Sequence, residues 1–167
     1  GAEGAEALAD ALKSNTGLTY LELYDNELGA EGAKALANAL KHNSTLTELS
    51  LYFNKIGCEG AKAIANGLKD NSTLTGLDLY CNKIGNEGAI ALANALTDRR
   101  TSAFLHLRNN IGYWSVSVLA DSVKYNSTLT VLNLHQNIIG TELNKQIQDI
   151  VDRNRDMVLN SSSSTSP

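Results

Sequence analysis

Asp78, His106 and His135 are the residue types from which a metal centre or an acid–base pair could be built, and Ser50 could serve a histidine as nucleophile. Their spacing argues against both. No two of them stand at short ligand spacing, and the periodicity described below places them diagonally on separate strands, further apart than metal ligands sit. Ser50 falls two strands away from His106. Cys58 and Cys81 stand at different positions of their units and pair with nothing at metal-ligand spacing, which points to a reducing compartment. The chain has no phosphate loop and no G-x-S-x-G. Neither catalysis nor a metal or other cofactor is therefore expected.

The elements that position these residues are read from a repeat. Leu18–Asn26 (LTYLELYDN), Leu46–Asn54 (LTELSLYFN) and Leu74–Asn82 (LTGLDLYCN) recur every 28 residues without gaps. Leu105, Leu107 and Asn110 continue the series, and Leu129, Leu132, Leu134 and Asn137 follow with a step of 27, assigned to a residue missing between Asn110 and Gly112. A fixed period of this length signals a solenoid whose units pack only on their neighbours. In each unit Leu21 and Leu23, or their equivalents, alternate with exposed residues, which predicts a strand with one buried face. Ala33, Leu36, Ala37 and Leu40 then follow helical spacing, as do Ala61, Ile64, Ala65, Leu68 and Ala89, Leu92, Ala93, Leu96. Alternating strand and helix with short connections predicts a parallel sheet. Alanine at half of the helix positions predicts close layers, so a large residue at Ala37 or Ala65 is expected to cost about 1–3 kcal/mol. Asn26, Asn54, Asn82, Asn110 and Asn137 form an expected ladder at the strand ends, and Gly29, Gly57, Gly85, Gly112 and Gly140 are expected to permit the turn into each helix.

The predicted fold class is thus α/β, a solenoid with its sheet on the concave face and its helices on the convex face. Units are placed at 1–17 (partial), 18–45, 46–73, 74–101, 102–128 and 129–159, the last ending in a cap helix. A disordered tail is expected over 160–167. The match of Gly1–Ala5 to Gly29–Ala33 suggests a fragment of a longer array. The strand over 19–25 is expected to leave an exposed edge and to support a homodimer there, a state that light scattering reads. A net charge of −4 and the lack of a Lys/Arg cluster argue against nucleic acid, and no apolar run approaches the ~20 residues of a membrane span.

The LxxLxLxxN strand motif, the 28-residue unit and the G-x-E-G-A-x-A-L-A-x-A-L helix resemble the ribonuclease-inhibitor-like class of leucine-rich repeats over residues 1–159. That class includes ribonuclease inhibitors, the sensor arms of NOD-like immune receptors, Ran GTPase-activating proteins and effectors of intracellular bacteria. The resemblance implies a curved horseshoe that binds another protein through its inner sheet. The alternating repeat types and cysteine richness of ribonuclease inhibitors are missing here, so that activity is not expected. The alternative reading is a regulator of a small GTPase. A cytoplasmic setting is expected, or secretion of a bacterial effector into a host cell.

The residues the fold does not dictate form columns across the strands. One holds Tyr24, Tyr52, Tyr80, Arg108 and His135; a second holds Glu22, Ser50, Asp78, His106 and Asn133. A third holds Tyr20, Glu48, Gly76, Phe104 and Val131; a fourth holds Asp25, Phe53, Cys81, Asn109 and Gln136. The partner-binding residues are read as Tyr20, Glu22, Tyr24, Tyr52, Phe53, Asp78, Tyr80, Phe104, His106, Arg108 and His135. Strands ~4.8 Å apart make three tyrosines in one column a continuous strip, and tyrosine anchors interfaces well. The competing reading is a ladder that packs only on itself. Charge also shifts along the face, from Glu22, Asp25, Glu48 and Asp78 to His106, Arg108 and His135. The stretch Thr97–Val116 departs from the repeat and suggests a second contact at Arg99, Arg100 and Trp114. Asn43, Asn71, Asn126 and Asn160 head glycosylation sequons, but three of the four share one repeat position, which the fold explains better than sugars do.

Overall fold

The computed structural model describes residues 1–97, 104–109, 111–137 and 139–163. Helix and strand alternate along the chain: α1 (Ala2–Ser14), β1 (Tyr20–Glu22), α2 (Gly29–Leu40), β2 (Glu48–Ser50), α3 (Gly57–Asp70) and β3 (Gly76–Asp78). They continue as α4 (Gly85–Leu96), β4 (Phe104–His106), α5 (Tyr113–Val123), β5 (Val131–Asn133) and α6 (Thr141–Ser163). The strands form one parallel sheet in chain order, with Leu21, Leu49, Leu77, Leu105 and Leu132 in register. The sheet-like bonding outlasts the three-residue strands, since the Asp25 amide still donates to the Tyr52 carbonyl at 3.0 Å.

The core lies between this sheet and the helix layer. Leu49, Leu77 and Leu105 point into it from the strands, and the helical sets Ala33, Leu36, Ala37, Leu40 and Ala61, Ile64, Ala65, Leu68 meet them from the other side. Small residues let the helices approach one another. A Cβ at Gly67 would stand 2.6 Å from the Ala37 carbonyl oxygen, so α3 and α2 nearly touch backbone to backbone there. On the solvent side carboxylates and lysines pair, as in Lys34–Glu31 (2.8 Å) and Lys62 between Glu59 (3.0 Å) and Glu87 (2.7 Å). Such exposed pairs each add little to stability.

The turn after each strand is set by backbone conformation. Asp25, Phe53 and Cys81 are left-handed (φ 51°, 57° and 55°), as are Glu27, Lys55 and Lys83 two residues later. Gly29, Gly57 and Gly85 follow with φ of 63°, 66° and 63°, where a glycine carries no steric penalty. The expectation for Gly112 fails: it is extended, with φ −78° and ψ 162°. Gly140 is not left-handed either. The last helix runs to Ser163, beyond the boundary at 159 expected from the repeat.

The strand-end ladder is present, with one change of membership. Asn54 Oδ1 accepts the amides of Asn26 (3.0 Å) and Leu28 (3.3 Å), while its Nδ2 donates to the carbonyls of Leu23 (2.6 Å) and Leu51 (3.0 Å). Asn82 repeats this against Asn54 and Leu51. The fourth rung is Asn109, which takes the Asn82 amide at 2.6 Å and donates to Leu79 O at 2.7 Å. Asn110, expected there, lies outside the described residues. The missing residue of this unit therefore falls between Arg108 and Asn109, at the left-handed position that Asp25, Phe53 and Cys81 fill elsewhere.

Candidate functional site

The candidate site is the sheet face turned away from the helices. Parallel pairing in exact 28-residue register puts Tyr24, Tyr52 and Tyr80 side by side. The Tyr24 and Tyr52 rings stack at 4.7 Å with 22° between planes, and Tyr52 meets Tyr80 edge-on at 4.6 Å. The Arg108 guanidinium lies 4.8 Å above the Tyr80 ring and extends the row into β4. Phe53 adds an edge contact to Tyr52 at 6.0 Å. Pairs of this kind contribute about 0.5–1.5 kcal/mol each beyond area burial. The strip does pack on itself, and it is still open to solvent: Tyr24 is 49 % exposed and Phe53 47 %. Its rings are thus held in place before any partner arrives, which lowers the ordering cost of binding.

A second row runs beside it. Tyr20 donates its hydroxyl to Glu22 at 3.0 Å, which raises the phenol pKa. Phe104 leans across Gly76, where a Cβ would stand 2.1 Å from its ring, so the lack of a side chain at Gly76 provides the seat for that ring. Phe104 also meets His106 at 5.2 Å. His135 is exposed and belongs to the Arg108 column. The fourth column does not survive intact, because Asn109 is drawn into the buried ladder and leaves the face.

Asp78 and His106, successive members of the second column, are direct cross-strand neighbours with Oδ2 and Nδ1 3.5 Å apart, which corrects their diagonal placement in the metal-site argument. Asp78 also accepts the Tyr80 amide at 2.8 Å. Burial raises the Asp78 pKa, and His106 opposes that effect through its charge and hydrogen bond. A carboxyl whose pKa is higher folded than unfolded favours the fold in acid, and that contribution is lost as pH rises from the ordinary carboxylate range through the raised value. Asp78→Asn keeps an acceptor for the Tyr80 amide and removes the buried charge. Its urea midpoint is expected to match or exceed wild type at neutral pH, with the difference closing in acid; a clear loss at neutral pH would contradict this assignment.

Burial also raises the Cys81 thiol pKa, with Asp78 adding to it, so this thiol is held protonated and poorly nucleophilic. Among the described residues no group of three or more His, Cys, Asp or Glu could hold a metal, and no helix is long and apolar enough to cross a membrane. Of the second contact read at Arg99, Arg100 and Trp114, the arginines lie outside the described residues, while Trp114 is 73 % exposed at the start of α5.

The asparagines that share one repeat position belong to the fold, as that shared position implies. Asn43, Asn71 and Asn126 are buried, and together with Asn154 they form a second ladder where each helix returns to the sheet. Asn43 Nδ2 donates to Leu12 O at 2.9 Å and its Oδ1 takes the Leu46 amide at 2.8 Å. Asn71 and Asn126 repeat the pattern, and Asn154 of α6 donates to Asn126 O and Leu129 O. Side-chain amides engaged in this way are closed to glycosylation. The 28-residue spacing of 15, 43 and 71, resumed at 126 and 154, was the available signal.

Residues 14–37, 42–65 and 70–93 match a family model described as Leucine Rich repeat. The fold is a leucine-rich-repeat solenoid. Two solved structures extend that likeness over nearly the whole chain. One is described as Leiomodin-1 Actin-Binding Site 2, at TM-score 0.83 and 23 % identity, covering 93 % of this chain and 92 % of that one. The other is the tropomodulin C-terminal domain of Caenorhabditis elegans, at TM-score 0.84 and 15 % identity, covering 96 % and 99 %. At these identities the likeness is one of fold. No curated protein matches the chain. The matches carry the resemblance as far as leucine-rich repeats in general, and they lend no support to the small-GTPase alternative.

Proposed function

We propose that this solenoid is a protein-interaction module that grips its partner with the sheet face. The observation that carries this reading is the stacked row Tyr24–Tyr52–Tyr80–Arg108, with Tyr24 exposed and the other three half-buried. Large aromatic side chains already fixed by stacking are what interface anchors require. The acidic residues Glu22, Asp25 and Glu48 at one end and Arg108 and His135 at the other would orient the partner along the face. The ribonuclease-inhibitor-like pattern of the unit fits a sensor or effector role of this kind. Actin is the first defined probe, because a leiomodin-1 structure with the same fold is described as an actin-binding site.

The test offers actin and a cell extract to the immobilised wild-type chain and to the Tyr24/Tyr52/Tyr80→Ala variant. The variant is expected to lose its partner by roughly 30-fold or more, the effect of removing at least ~2 kcal/mol of anchor contacts. Equal recovery by both chains would overturn the assignment of the sheet face.

A further inference from the structure

We propose a second binding site at the far end of the solenoid, where the open edge of β5 takes an extended peptide as a sixth parallel strand. The peptide it fits carries leucine-x-leucine-x-x-asparagine. The site does not depend on the aromatic face.

Three observations converge there. The first is backbone. The Leu107 amide donates to Asn133 O at 2.9 Å, so Asn133 faces β4. The pleat then turns the amide and carbonyl of Leu132 and the amide of Leu134 to the outer edge. Among the described residues these groups have no partner, since β5 pairs with β4 alone. Such an edge is a template for strand addition.

The second observation is a cleft. A space of about 570 Å³ opens between β5 and α6, lined among others by Leu132, Leu134, Asn144, Gln148, Val151 and Arg155. Its size is ordinary for a binding cleft. Leu132 and Leu134 are 9 % and 4 % exposed, whereas Leu77 and Leu79, covered by a following unit, are fully buried. Apolar side chains from an added strand would complete that cover.

The third observation selects asparagine. In every earlier unit the strand-end carbonyl receives the Nδ2 of the next Asn, as Leu51 O does from Asn82 at 2.8 Å. The amide of each ladder Asn likewise goes to the next Oδ1, as from Asn109 to Asn137 at 3.0 Å. At the last unit Leu134 O is bonded only from within the unit, by Nδ2 of Asn137 at 3.0 Å and by the Asn137 backbone amide at a long 3.3 Å. One incoming carboxamide supplies the cross-unit donor and acceptor that the equivalent groups have in the earlier units.

The occupant is a bare strand and not a second copy of the chain. A copy presenting its β1 edge brings α1 immediately before that strand, and α1 would need the place that α6 holds against α5. A flexible segment carries no such helix.

The experiment titrates the wild-type chain with a synthetic peptide of sequence TLTELSLYFNK, which copies residues 45–55. Saturable binding is expected, with slowed amide exchange at Leu132 and Leu134. A peptide with Ala in place of its Asn should bind at least about tenfold more weakly, the usual cost of a lost buried hydrogen-bonding group. Gln148→Trp, which fills the cleft, should weaken binding to a similar degree. The Tyr24/Tyr52/Tyr80→Ala variant should bind as wild type, so failure here and failure of the sheet-face reading are separable. No saturable binding, protection confined to other strands, or protection of Leu132 and Leu134 by self-association without peptide would each overturn the proposal.

Discussion

Asn54→Ala is expected to lower the unfolding free energy by about 3–5 kcal/mol, read from urea denaturation. The side chain is fully buried and joins two units. Its loss strands the amides of Asn26 and Leu28, and it removes one donor each from the carbonyls of Leu23, Leu51 and Tyr52. Each group left without a partner away from water costs about 1–3 kcal/mol. Asn26 recovers part of this from solvent because it is exposed, which keeps the sum in the middle of the range. Because each unit leans only on its neighbours, the damage should concentrate at the first two strands, and amide exchange there should accelerate most. Asn38→Ala on the exposed side of α2 serves as control and should stay within about 0.5 kcal/mol of wild type. A loss below about 1 kcal/mol for Asn54→Ala would show that the ladder is dispensable.

Gly67→Leu should cost about 3 kcal/mol or more, at the upper end for overpacking. Gly67 is buried on α3, and its Cβ would fall 2.6 Å from Ala37 O and 3.1 Å from Ala37 Cα. These are backbone atoms that no rotamer change can move. The helices must separate, and the packing of Ala37 and Leu40 on one side and Ala65 and Leu68 on the other is disturbed with them. Gly67→Ala sharpens the test by its sign. Helix propensity alone predicts a gain of about 1 kcal/mol for glycine to alanine inside a helix, whereas the contact with Ala37 predicts a net loss. Thermal or urea unfolding distinguishes the two, and a stabilised Gly67→Ala would mean that α2 and α3 yield more readily than their contacts imply. The equivalent positions Ala39 and Ala95 already accommodate a methyl group, so the constraint is local to the α2–α3 contact.

The order of elements, the parallel sheet, the buried helical faces and the composition of the first three columns were legible in the amino-acid sequence. The reason is physical. Period two and period 3.6 report which side chains leave water, and a strict 28-residue step fixes cross-strand register by itself. Tyr24, Tyr52 and Tyr80 had to be neighbours once that register held. Closeness in space was harder to read wherever it turned on a single residue of chain. Asn109 and Asn110 are equivalent by type, and only the left-handed turn at Asp25, Phe53 and Cys81, which the fourth unit lacks, decided that Asn109 enters the ladder.

The spacing of residue types determined by itself that this chain stacks similar units and leaves one face of a sheet to solvent, because the apolar positions recur and those between them do not. Tertiary structure alone decided how the side chains of Asp78 and His106 meet, that the Arg108 guanidinium lies over the Tyr80 ring, and which backbone groups Asn43 and its counterparts brace. It also decided that β5 ends beside a cleft. Each of these depends on how an amide or a ring is turned between neighbouring units, and that orientation is set by packing between units after the period has fixed their spacing.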